Sequence, residues 1–237
     1  MWMITYYLLG IILLPGIIYA MITQTRVQKT FNTYSKLHAS SGLTAREACT
    51  RILNQAGIYD VQIKRVAGNL TDHYNPTDKT LALSDNVYDS TSIAALGVAA
   101  HEAGHAIQHA QGYKFLKVRS ALAHISNFMS GMLLPLIIIG IILSALAYTS
   151  IGSYFVIGGC VFFGISVLFS LVTLPVEFDA SKRALANLTA SCTLDDTEVK
   201  GAKQVLSAAA QTYVAALVVS ILSLLRFVLS FIIARQE

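Results

Sequence analysis

The chain has 237 residues, 54% of them hydrophobic and 13% charged, with a net charge of +4 and no dense basic run. About a quarter of an ordinary soluble domain is charged, so the composition excludes a plain soluble globule and the charge pattern excludes nucleic acid as a partner. Cys49, Cys160 and Cys192 stand far apart without a C-x-x-C pair, which excludes a disulfide framework and a thiolate metal site.

The first apolar run, Ile4–Ile22, carries no charge over 19 residues, enough to span a bilayer. It has no positive leading segment and no small-x-small cleavage site, so it reads as a retained anchor rather than a signal peptide. Pro15-Gly16 inside it predicts a kink that neighbouring helices can tolerate. The polar stretch that follows, 23–131, has an α+β pattern. Thr44–Gly57 opens with a capping box, Thr44 with Glu47 three residues later, and closes at Gly57. Ala48, Ile52, Leu53 and Ala56 make its apolar face. Val61–Val66 alternates like a half-buried strand. "NLTDHYNPTDK", Asn69–Lys79, reads as a loop with a turn at Asn75-Pro76. "TLALS", Thr80–Ser84, is a second strand.

The Ala-rich, proline-free run from near Ser92 to about Gln111 predicts a helix, capped by Ser90, Thr91 or Ser92 and stopped by Gly112. Lys114–Ser130 is amphipathic and suits the headgroup zone. Met132–Thr149 and Tyr154–Val176 are uncharged and joined by Ser150–Ser153, the pattern of a transmembrane hairpin. "EFDASKRAL", Glu177–Leu185, reads as a helix emerging from the third span. The last run, Tyr213–Ala234, is apolar except for Arg226, which either snorkels to an interface or faces the bundle interior. Eleven Lys and Arg lie in 23–131 and four in 177–212, against none in the hairpin turn. That asymmetry puts both polar segments in the cytoplasm.

His101-Glu102-Ala103-Gly104-His105 matches H-E-x-x-H on the predicted helix. Four residues turn a helix by about 400°, so the two imidazoles lie about 40° apart and one turn along. Both can then reach one zinc ion. Glu102 lies on the same side, where a carboxylate reaches a metal-bound water and serves as general base. The bland alternative is a helix with two satisfied histidines. A hydrolytic zinc site takes three protein ligands and keeps a fourth position for water. Gln108 and Gln111 stand where the contiguous three-histidine form would need Gly and His, so the third ligand is distant. The hairpin returns Glu177 to the side of His101 and His105. Glu177 is then either that ligand or a charge at a helix start, favoured by the helix dipole. His109 is about two turns from His101, too far to share the ion. His73 and Tyr74 are candidate donors to the oxyanion of peptide hydrolysis, or ordinary surface residues.

"GVAAHEAGHAIQHAQGY", "LTDHYNP", "LALS" and "LPVEFDASKRAL" together resemble the YugP-like family of membrane neutral zinc metallopeptidases, over essentially the whole chain. The resemblance implies a peptidase with His101, His105 and Glu177 as zinc ligands and Glu102 as base. It also implies that Asp72, His73 and Tyr74 belong to a characteristic family segment. More widely the chain is similar to the gluzincin proteases, in which an E-x-x-x-D pattern places an Asp one turn after the ligand Glu to orient a zinc histidine. Here that position is Ser181, and the nearby acid, Asp179, lies about 200° round the helix from Glu177. Orientation of the imidazoles then falls to Ser181, a backbone carbonyl or another acid, with Gln108 and Asp179 as further candidates. In those proteases a short strand lines the substrate by backbone pairing, and "TLALS" is the candidate for that part.

The expected protein is mainly α, with about four transmembrane helices and a cytosol-facing α+β zincin-like metallopeptidase domain. Its parts are an anchor at 1–22, a zinc-binding catalytic region at 23–131, a hairpin at 132–176, a third-ligand segment at 177–212 and a last span at 213–237. It is expected in a bacterial inner or plasma membrane, holding one Zn²⁺ per chain. The expected partners are the lipid bilayer and a peptide or protein substrate, membrane proteins among them. The rival expectations are a catalytically silent zinc-containing scaffold, whose site would have four protein ligands, and a transporter, whose histidine helix would lie in the bilayer.

Overall fold

A computed structural model describes residues 9–126, 128–129 and 152–234. A 3₁₀ stretch, Leu9–Leu13, leads into α1 (Leu14–Tyr34). Pro15 therefore sits in the first turn of α1, where its missing N–H breaks no helical hydrogen bond. In place of a kink inside the first span there is a junction between two helix types.

The helix α2 (Ala45–Gln55) carries the full capping box. Thr44 Oγ1 accepts from the Glu47 N–H at 3.3 Å, and the Glu47 carboxylate accepts from the Thr44 N–H at 2.9 Å. Its buried face is Ala45, Ala48, Cys49, Ile52 and Leu53, while Ala56 is the exposed C-cap. Gly57 follows at φ +71°, as a helix stop that reverses the chain requires.

Three strands follow, β1 (Gln62–Val66), β2 (His73–Asn75) and β3 (Thr80–Ser84), in the order β1-β3-β2. β1 runs parallel and β2 antiparallel to β3. Two expectations change here. The stretch read as a loop contains a strand, because His73–Asn75 pairs with Thr80–Ala82. Asn75 Oδ1 accepts from the Thr77 N–H at 3.0 Å and tightens the connection. And β3, expected to receive a substrate strand, is the central strand with both edges already paired. Among the described residues the outer edges of β1 and β2 remain for such pairing.

After the short α3 (Asp85–Tyr88) comes α4 (Ile93–Ala110), capped by Ser92, whose Oγ accepts from the Ala95 N–H at 3.2 Å. Gly112 stops the chain at φ +65°. Nearly the whole of α4 is buried. That accounts for its run of alanines: small side chains let neighbouring elements close around it on every side. Residues 114–126 form α5, with Phe115, Val118 and Ile125 exposed.

The last two helices, α6 (Gly152–Ala190) and α7 (Asp196–Ala234), are 39 residues each. They run from the expected spans straight through the polar segments. Gly152 and Ser153, expected in the hairpin turn, already belong to α6, and the expected span Met132–Thr149 lies outside the described residues. Among the described residues three helices are long and apolar enough to cross a membrane: Leu9–Tyr34, Gly158–Ala190 and Asp196–Leu229.

The chain forms two compact units. One takes the apolar parts of α1, α6 and α7. Its helices meet through small residues, as membrane helices do: Gly16 against Val219 and Leu222, Gly159 against Phe227, and Ser170 Oγ 3.3 Å from Ser220 Oγ. The guanidinium of Arg226 lies beside Gly10, so it faces a neighbouring helix. The other unit is Ile22–Leu116 with Leu174–Thr212. Its core is α2, β3 and α4 packed with Ala184, Leu188, Ala202, Val205 and Leu206 from α6 and α7.

Candidate metal centre

His101 and His105 project from α4 one turn apart, with ring centroids 4.8 Å apart and planes at 84°. Glu177 comes from α6. It sits well inside that helix, two residues after Pro175 and 2% exposed, so the reading as a helix-start charge falls away. Its Oε2 lies 3.1 Å from His101 Nε2 and 3.6 Å from His105 Nε2.

The close approach of the two helices has a local cause. A methyl group on Gly104 would stand 2.7 Å from the carbonyl oxygen of Ala180. Only glycine at the fourth position of the motif lets α6 lie this near α4. Ala180 is one turn beyond Glu177, so the same contact brings the carboxylate to the histidines.

A tetrahedral zinc ion with bonds of about 2.0–2.1 Å keeps its donors roughly 3.3 Å apart. The observed 3.1 and 3.6 Å bracket that spacing, and all three donor atoms fall within 4.8 Å of one another. Two imidazoles and a carboxylate form a donor set that suits zinc. The fully buried Cys49 thiol is pushed up by burial and then by the charge of Glu102; the group that could hold a metal among the described residues is His101, His105 and Glu177.

The outer nitrogens of both rings are engaged. Ser181 Oγ lies 3.2 Å from His101 Nδ1. Gln108 Oε1 lies 3.0 Å from His105 Nδ1, and Gln108 Nε2 donates to Asp179 Oδ2 and to the Val176 carbonyl, both at 2.8 Å. Asp179 therefore meets no imidazole itself; it meets the amide that does. Burial alone would lower His105. The hydrogen bond to Glu177, the charges of Glu102 and Glu177 and the bond to Gln108 outweigh it and hold the imidazole above its ordinary value.

Glu102 is buried on α4. Its charge reaches Asp72, whose carboxyl is pushed up by burial, against the lowering effect of hydrogen bonds from the Ser84 N–H at 2.7 Å and Oγ at 2.9 Å. Alternation along β2 separates the two donor candidates. Tyr74 faces α4, where its hydroxyl lies 2.8 Å from His109 Nδ1. His73 is on the opposite, exposed face and bonds back to the Thr71 carbonyl at 2.9 Å. Burial, then the charges of Asp60 and Asp78, push the Tyr74 phenol up to about 12. The sequence left His109 without a part; its ring is what ties β2 to α4.

Residues 9–232 match the family described as "Putative neutral zinc metallopeptidase". The chain is 45% identical over 215 residues to a Bacillus subtilis (strain 168) protein named "Putative membrane protease YugP", covering 90% of this chain and 92% of that one. No solved structure matches.

Proposed function

We propose, from the premise that the chain belongs to the neutral zinc metallopeptidase family, that it is an integral membrane zinc metalloprotease hydrolysing peptide bonds with Glu102 as general base. One observation carries the reading: a glutamate from a distant helix stands between the two imidazoles of an H-E-x-x-H helix at zinc-ligand spacing. His101, His105 and Glu177 would hold one zinc ion per chain. Zinc so held lowers the pKa of a water toward 7 and polarises a carbonyl.

The chain's own residues do the rest. Ser181 and Gln108 accept from the Nδ1–H groups, which leaves each Nε2 lone pair for the metal. Glu102 takes a proton from the attacking water and passes it to the leaving amine. Tyr74 rather than His73 donates to the carbonyl oxygen, because β2 turns only Tyr74 toward α4. The outer edge of β2 offers main-chain pairing to an extended substrate. The Lys and Arg distribution supports a site on the cytoplasmic side, within reach of the cytosolic segments of membrane proteins.

The test uses purified full-length protein on a fluorogenic peptide mixture. Glu102→Gln should lower cleavage by about 10²–10⁴-fold while zinc stays bound. Undiminished cleavage with zinc present would sink the assignment.

A further inference from the structure

We infer that Arg183 is a positioning residue of the metal centre, acting on His105 through Asp179 and Gln108. The inference rests on the reading of His101, His105 and Glu177 as zinc ligands, and adds to it a third layer that the sequence did not suggest.

The argument begins at Gln108, which is fully buried. An amide can point either way, and its neighbours decide which. Here Nε2 faces two acceptors, the Val176 carbonyl and Asp179 Oδ2, each at 2.8 Å. Turned round, the amide would set its oxygen against both of them. The orientation is therefore forced, and Oε1 must accept from His105 Nδ1–H at 3.0 Å. Only Nε2 of that ring is then left with a lone pair, and it is the nitrogen that faces Glu177.

What forces the amide is an acceptor held in place, and Arg183 holds it. Its Nε donates to Asp179 Oδ2 at 2.5 Å and its Nη1 to Gln111 Oε1 at 2.6 Å, so the guanidinium fork bridges α6 and the end of α4. Its Cζ lies 5.9 Å from the centre of the Tyr113 ring, whose hydroxyl donates to the Pro175 carbonyl at 3.5 Å. Arg183 is thus held on three sides, unlike an ordinary i,i+4 pair on a helix surface, which contributes little. The order is guanidinium, carboxylate, amide, imidazole, each fixing the next. A neutral amide stands against His105, and the carboxylate of Asp179 sits one hydrogen bond further out.

Zinc affinity, read by competition with a chromophoric chelator, tests this on the full-length chain in detergent. Arg183→Ala should weaken zinc by about tenfold, the lower end of the range for groups that support a metal ligand, and shift the unfolding of the metal-depleted protein much less than that of the zinc-loaded protein. In a Gln108→Ala background the same substitution should have no further effect, since the relay is already cut. An unchanged affinity, or an equal loss in both backgrounds, overturns the proposal. A loss of metal-depleted stability matching the loss of affinity also overturns it, since that marks a structural role. If Arg183→Ala does not accumulate, Asp179→Asn keeps the side chain's shape and is read the same way. His105→Ala separates the two levels: if it binds zinc as well as wild type, the metal centre itself is wrong rather than the relay.

Discussion

Gly104→Ala adds one methyl group, and the structure says where it goes. The new Cβ would lie 2.7 Å from the Ala180 carbonyl oxygen and 3.3 Å from the carbon and Cα of the same residue. These are backbone atoms and cannot swing aside. Ordinary contact begins at 3.4 Å, so α4 and α6 must part by about 0.7 Å, and overpacking of this kind costs about 1–3 kcal/mol. The gain in helix propensity offsets about 1 kcal/mol of that, so the loss of stability is modest. The loss of zinc is not. Glu177 rides on α6 one turn from the contact, and a metal site tolerates donor displacements of only about 0.2 Å. Zinc affinity should fall by at least about tenfold. Gly97→Ala is the control on the same helix. Its Cβ would meet Ala202 Cβ at 3.5 Å, an ordinary contact, so it should leave zinc affinity unchanged and stability equal or up to about 1 kcal/mol higher. Chelator competition and unfolding in mixed micelles read both variants. Equal zinc affinity in the two alanine variants would refute the helix-contact argument.

Removing the cap of α4 with Ser92→Ala should cost about 1 kcal/mol, read by unfolding in mixed micelles, with zinc affinity little changed because the cap lies two turns before His101. In metal-depleted protein, protonated His105 adds stability below its unfolded value, and that contribution is lost as pH rises through its raised folded value. Zinc needs the neutral ring, so zinc affinity should climb with pH through the same window and then level off; a flat profile from about pH 5 to 8 contradicts it. Tyr74→Phe removes the proposed oxyanion donor and should lower kcat by about 10²–10³ with KM unchanged, whereas a purely structural Tyr74–His109 contact would leave kcat as it is.

The parts of this fold that are encoded locally could be read from the residues. The capping box at Thr44 and Glu47, the stops at Gly57 and Gly112 and the H-E-x-x-H helix each follow from side chains within a few positions of one another. Glu177 was reachable because the expected topology narrowed the choice: a hairpin, whose first span lies outside the described residues, would return the chain to one side, and few acids follow the motif. What depends on distant partners was not legible. His73–Asn75 has no β-branched run, and is a strand only because β3 offers it an edge. Gly104 looked like a spacer, and its reason lies 76 positions on, in the Ala180 carbonyl. Gln108 could be read as one of several candidates for orienting an imidazole; which ring it meets, and what holds it there, becomes visible once His105, Asp179 and Val176 are found beside it.

The central claim is that a carboxylate from α6 completes a zinc site begun on α4. Zinc content and zinc-edge X-ray absorption, on wild type and Glu177→Ala side by side, test it most directly. The account predicts about one zinc per wild-type chain, with two imidazole nitrogens, oxygen for the remaining ligands and no sulfur, and a loss of that zinc in Glu177→Ala. A sulfur ligand, or the same zinc content and first shell in both proteins, would contradict it.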